Sequence, residues 1–528
     1  MTVTDFLQHW ALTENPFRGE EARSDAVFAK MAMPGARPVQ VTSVEKPGLT
    51  IAHSEFVCYH SEFDKIMGDL RRPSSAVVFG EKGSGKTAIR LQISRRISEH
   101  NVANPGAKVL LVPYDDLNPY LDRLHERIGG KTYLESLQRT RLVDHMDAVL
   151  HTIVPRLVDA LLGHVFQGDV FEMPADAKKS VRKLDRMMRR ELLLLQALYD
   201  RPEHAWERTY ALRRRLGIWP AASIIGGNIF VYLTPVVIGA MLLIERYYPP
   251  PNLPRDWVDL FFLGMLAIYA AVVMKFVVWD RVSLLRTAHK VRKQVRVLAR
   301  GDISYAKSLR LLPSSLRDAA NLPLTEADTP RYACFDRLRR LLRCFGYTGI
   351  VVVVDRMDEP TLVAGDPDRM KAVVWPLLNN KFLQQEGIGI KLLLPMELQH
   401  ALLRESNAFF QEARLDKQHL VENLAWTGQM LYDLCESRLN ACRLPDAGHL
   451  PLLDLFAEDV TQHDLLDAFD KVRQPRDAFK LLYRCMNEHC AGFTKSQSEW
   501  RVPRSVLMSV VKSETARVQQ VLRGIRPA

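Results

Sequence analysis

Residues 76–90 read AVVFGEKGSGKTAIR. The apolar run Ala76–Phe79 is expected to be a buried strand. Gly80-Glu81-Lys82-Gly83-Ser84-Gly85-Lys86-Thr87 fits G-x-x-x-x-G-K-[ST], and Ala88 continues into apolar residues at helical spacing. Strand, glycine loop and helix in that order make the pattern a phosphate site. Glycines allow successive backbone N–H groups to turn inward around a polyphosphate, and the helix that follows adds its positive dipole end. Gly80 to Ala88 are therefore the candidate nucleotide-binding residues. Lys86 is expected to reach the β- and γ-phosphates, and Thr87 to ligate Mg²⁺.

A partner to this loop lies far downstream. Gly349-Ile-Val-Val-Val-Val354 is an apolar, β-branched run ending in Asp355-Arg356-Met357-Asp358-Glu359-Pro360. An acid at the tip of a buried strand is the expected second half of such a site. Asp355 is placed to hold Mg²⁺, and Asp358 or Glu359 to polarise the attacking water. Spacing alone does not rank those two acids; the longer side chain favours Glu359. Lys108–Val112, Ile388–Leu394 and Gln418–Glu422 supply three more strands. The expected fold is α/β: a five-stranded parallel sheet with the glycine-loop strand central, followed by a helical lid.

The 260 or so residues between the two motifs hold an unusual composition. Leu216–Ile244 is 29 residues without Asp, Glu, Lys, Arg or His. About 20 suffice to cross a bilayer as a helix. Leu260–Trp279 is a second apolar run, broken only by Lys275 near its end. The formal net charge of +11 concentrates beside them: residues 178–215 carry +7 and 280–300 carry +6, leaving −2 for the remainder. The basic excess thus reads as two membrane flanks rather than a nucleic-acid face. The positive-inside rule puts both flanks, both termini and the phosphate loop in the cytoplasm, and the Glu245–Asp259 loop outside. The expected localisation is the cell (inner) membrane with two spans. The bilayer contacts 216–244 and 260–279, and anionic headgroups meet the flanks. Seven cysteines without a C-x-x-C pair argue against zinc and against a disulfide framework. MTVTDFLQHWALTENPF lacks the features of a cleaved signal.

The expected division is 1–53 as a lead-in; 54–116 as the first half of the nucleotide core; 117–215 as a helical, basic insertion; 216–279 as the hairpin; 280–329 as a basic helix and linker running to about Arg300; 330–425 as the second half of the core; and 426–528 as a C-terminal helical lid. Ser54–Leu70 reads as an amphipathic helix leading into the first strand, and a helix from about His204 as the one that enters the membrane. Arg414, before the fifth strand, is a candidate arginine finger or sensor. Arg476, in a helix opening at Pro475, resembles the arginine that AAA+-like lids place there to reach the nucleotide, and is a candidate on that resemblance. The turn after the fourth strand, Pro395-Met396-Glu397, has no Asn, Ser or Thr where AAA+ proteins place a γ-phosphate sensor, so Glu397 is at best a stand-in.

Together the loop at 80–87, the acid-tipped strand at 350–359 and the apolar hairpin between them resemble the KAP-type P-loop NTPases, relatives of the STAND and AAA+ ATPases. Leu12-Thr13-Glu14-Asn15-Pro16-Phe17 resembles a short lead-in found before the loop of some AAA+ proteins. The Asp355-Arg-Met-Asp-Glu359 order departs from the family's D-D-h-D-R and lies nearer NACHT-like STAND proteins. The resemblance implies an ATP- and Mg²⁺-dependent, membrane-anchored ATPase acting as a switch or assembly factor in signalling or defence, with a homo-oligomer and a further protein as partners. A DNA-handling AAA+ ATPase and a membrane scaffold with a structural ATP site are the competing classes. A GTPase is disfavoured, because Asn380-Lys381 lacks the acid that reads guanine.

Overall fold

The computed structural model describes residues 1–19, 21–31, 58–163, 181, 184–218, 233–241, 243–244, 247, 255–444, 446–494 and 499–522. Five strands form one all-parallel sheet: β1 (Ala76–Gly80), β2 (Lys108–Tyr114), β3 (Tyr347–Val354), β4 (Ile388–Pro395) and β5 (His419–Val421). Their order is β2-β3-β4-β1-β5. The glycine-loop strand is therefore interior, flanked on both sides, but the middle position belongs to β4.

Alternation along each strand sends side chains to two covered faces. Val77, Phe79, Leu110, Val112, Val352 and Leu392 face one core. Ala76, Val78, Val109, Leu111, Val351 and Leu393 face the other. The second face is covered by the helix Lys86–Ala103, whose Ile89, Ile93 and Ile97 recur every four residues and are buried. The first face is covered by Leu142–Leu162, Arg186–Tyr199 and Thr329–Cys344. Much of the insertion is thus part of the sheet's own core. Buried polar contacts tie it there: Arg331 pairs with Asp147 at 3.3 Å, and the Tyr199 hydroxyl donates to Asp147 at 2.8 Å.

Part of the basic excess serves this packing. Arg208 bonds Asp200 and Asp159, each at 2.8 Å. Arg296 donates to Asp144 at 2.9 Å, and Arg300 is buried against the Ala197 carbonyl. The basic helix accordingly stops at Gln294, short of Arg300, because Val295, Val297 and Leu298 turn into the core. Arg281, Arg286, Lys290, Arg292 and Lys293 remain exposed.

Helix Ala205–Arg215 ends before the first apolar run. Residues 219–232 of that run, and most of the 245–254 loop, lie outside the described residues. The second run forms the helix Arg255–Val273, which continues through a π-helical stretch, Met274–Trp279, into Asp280–Gln294. Among the described residues no helix is long and apolar enough to cross a membrane. The side chains of Leu260, Leu263, Leu266 and Ile268 are nevertheless exposed, as are Leu233 and Val236 on the described part of the first run.

Two local expectations change. The helix expected over 54–70 is Phe63–Met67 within the described residues; Gly68, at φ +64°, closes it in a conformation that favours glycine. The described part of the lead-in, residues 1–19 and 21–31, packs with the C-terminal helices. Phe6, Leu12, Phe17 and Val27 share one core with Leu431, Leu465, Leu481 and Leu507 of the helices Gly428–Ala441, Gln462–Val472, Pro475–Gly492 and Arg504–Leu522. Leu12 bridges Arg443 antiparallel, and Thr13 N–H donates to the Cys442 carbonyl at 2.8 Å.

Candidate functional site

The site forms where β1, β3 and β4 end, the edge at which parallel α/β sheets leave a crevice. The loop after β1 turns through Gly83 (φ +91°) and Gly85 (φ +94°), where an L side chain would be strained. A Cβ at Gly80 would stand 2.5 Å from the Ser84 hydroxyl, and one at Gly83 would stand 2.9 Å from Gln474 Oε1 and 3.1 Å from Arg476 Cβ. Glycine is required here by backbone conformation and by close approach of the lid.

Lys86 opens the helix and curls back, its Nζ donating to the carbonyls of Gly80 (2.7 Å) and Glu81 (2.9 Å). Burial pushes its pKa below the usual lysine value; Asp355, Asp358 and Glu397 pull it partly back up. The Thr87 hydroxyl donates to Asp355 Oδ2 at 3.3 Å, although the two residues are 268 positions apart. Asp355 is itself buried, which raises its pKa; Arg90, Lys86 and the Thr87 bond oppose that. Arg90 is ion-paired with Asp115 at the end of β2. Thr87 and Asp355 are a hydroxyl and a carboxylate, hard oxygen donors of the kind Mg²⁺ takes.

The two candidate water-orienting acids differ. Both line the cleft, but Asp358 is the one whose charge acts on Lys86. Glu359 is half exposed and pairs with Arg356 at 3.2 Å. Glu397 heads the helix after β4, exposed, with its charge felt at Lys86. Arg476 lies over Gly83, and its Nε is buried without a hydrogen-bond partner, as is the Ser84 hydroxyl. Two orphaned polar groups beside a glycine cradle suit a polyanion. Arg414 is not brought here: it caps a helix at φ +43° and pairs with Asp416 at 3.3 Å.

Residues that the sequence reading did not single out complete the cleft, whose volume is about 810 Å³. Trp426 Nε1 donates to the Ser84 carbonyl at 2.8 Å, and its ring meets His60 edge-on at 4.8 Å. Gln474 bonds Glu81. Phe28 and Met31 of the lead-in, with Phe479 of the lid, give the cleft an apolar wall. Behind it, Arg438 stacks on Phe479 at 4.3 Å and pairs with buried Asp25 at 2.6 Å. The Asn-Pro-Phe stretch at 15–17 was the one sequence signal near this wall; nothing in the periodicity pointed to Phe28. Compared with known proteins, the chain matches no family model, no characterised protein and no solved structure.

Proposed function

We propose that the chain is an ATP-binding and ATP-hydrolysing P-loop NTPase, related in architecture to the KAP and STAND proteins, that works as a nucleotide-dependent switch at a membrane. The observation that carries the reading is the meeting of Thr87 with Asp355 at 3.3 Å beside half-buried Lys86. That convergence joins two motifs from opposite halves of the sequence at one sheet edge. In this reading Lys86 and the loop N–H groups hold the β- and γ-phosphates, Arg476 adds positive charge from the lid, and Asp358 or Glu359 orients the water. Thr87 and Asp355 would hold Mg²⁺, which supplies charge neutralisation on the phosphates when bound. The apolar wall of Phe28, Met31 and Phe479 suits a purine ring.

The membrane part of the proposal rests on the 29-residue uncharged run, the exposed apolar face of Arg255–Val273 and the exposed arginines and lysines that follow it. A hairpin at 216–244 and 260–279 would anchor the nucleotide core on the cytoplasmic side of the inner membrane.

Nucleotide binding and turnover by the purified full chain in nanodiscs test the nucleotide part of the proposal. Lys86→Ala should abolish binding. Asp355→Asn should weaken Mg²⁺-dependent binding together with turnover. Glu359→Gln and Asp358→Asn should retain binding, and the one that removes the water-orienting acid should slow hydrolysis by about 10²–10⁴-fold. Wild-type turnover in both acid variants would refute the assignment of this loop.

A further inference from the structure

We infer that Arg356 is a positioning residue that couples the lid to Glu359, through an ion pair with Glu21 of the lead-in. The inference rests on the ATPase reading above.

Arg356 directly follows Asp355 and holds φ +59°, a left-handed conformation that non-glycine residues seldom adopt. Its side chain is half-buried and its guanidinium is divided between two carboxylates. Nη2 donates to Glu21 at 2.5 Å, and Nη1 donates to Glu359 at 3.2 Å. The third nitrogen, Nε, is buried without a hydrogen-bond partner. Glu359 therefore rests on Arg356, while Asp358 is the acid whose charge acts on Lys86.

Glu21 travels with the lid. On one side of it, Phe17 is in the lid core and the Pro16 carbonyl accepts from Arg438 Nε at 2.8 Å. On the other, Asp25 pairs with Arg438 and Val27 is in the same core. The acid loop, by contrast, belongs to the sheet. Any rotation of the lid relative to the sheet changes the distance from Glu21 to Arg356. The guanidinium then redistributes between its two carboxylates, and Glu359 is gripped or released accordingly. The lid also touches the glycine loop through Gln474 and Arg476, so the same rotation accompanies phosphate engagement.

The arrangement gives opposite expectations for its two ends. Arg356→Asn removes the guanidinium and keeps a residue that tolerates positive φ. It should free Glu359 and raise kcat about two- to five-fold, the range of a partly exposed ion pair, with nucleotide affinity unchanged. Glu21→Gln leaves Arg356 to Glu359 alone and should lower kcat by a similar factor, with Glu21→Asp restoring most of it. In the double variant the Glu21→Gln effect should vanish, because it acts only through Arg356. ATP affinity by calorimetry and kcat by phosphate release are measured on each, in nanodiscs. Equal kcat in wild type, Arg356→Asn and Glu21→Gln, or additive effects in the double variant, would overturn the coupling while leaving the ATPase reading intact. Absence of ATP binding by the wild-type chain would instead remove the reading on which it rests.

Discussion

Replacing Lys391 by Met should change how stability depends on pH. Lys391 lies in β4, the middle strand, fully buried, with its Nζ donating to the carbonyls of Met67 (2.9 Å) and Ser74 (2.7 Å). Burial lowers its pKa to about 7, against roughly 10.4 for the unfolded chain. Between those values the unfolded chain binds more protons than the folded one, so stability rises with pH across that window and levels off on either side. The maximum slope from one such group is about 1.4 kcal/mol per pH unit, and over the window the total is on the order of 3–5 kcal/mol. Met conserves the length of the stem and removes the titration, but leaves two carbonyls without a donor, at about 1–3 kcal/mol each. Lys391→Met should therefore flatten the profile, comparing best with wild type near pH 6 and worst near pH 10. Thermal unfolding midpoints of both proteins from pH 6 to 10, taken as differences, isolate this group from every other titration. Parallel profiles would refute the argument.

Gly83→Ala should weaken ATP binding at least several-fold without unfolding the chain, since its Cβ would meet Gln474 and Arg476 and its φ of +91° disfavours alanine. Calorimetric titration checks it, and wild-type affinity would show that the lid does not close on the loop. For topology, Asn252→Cys should react with an impermeant thiol reagent in intact cells, whereas labelling only after lysis would reverse or abolish the hairpin.

The sheet was legible because its signals are local. Each strand is a β-branched or leucine-rich run bounded by turn residues, and 76–80, 347–354 and 388–395 differ from the sequence expectation by a few residues at most. The glycine loop and Asp355 stood out because each follows an apolar strand run with a fixed residue pattern, and β1 and β3 bring the two to one sheet edge. Strand order was not: a parallel sheet with its middle strand drawn from residue 388 onward depends on long-range pairing that no window contains. The place of the lead-in in the C-terminal core was not legible for a related reason. Leu12, Phe17 and Val27 have no common periodicity, and they become a core only beside helices more than 400 residues later. The basic blocks misled in part, because charge counts do not separate Arg300, buried on a carbonyl, from Arg286, which faces solvent.

That shared core also sets the order in which the molecule can be completed at the ribosome. Phe6 emerges about 500 residues before Leu507, which lies in the same buried cluster. At about 5–20 residues per second the interval is roughly 25–100 s. Throughout it Phe6 and Phe17 lack the helices that bury them, and β2 waits for β3 while the two apolar runs are synthesised between them. The segment 216–279 is thus complete before the cleft has its last wall. The lid helices are synthesised after that segment, so a chain truncated between the two would carry the glycine loop without the side chains of Gln474, Arg476 and Phe479 that cover it.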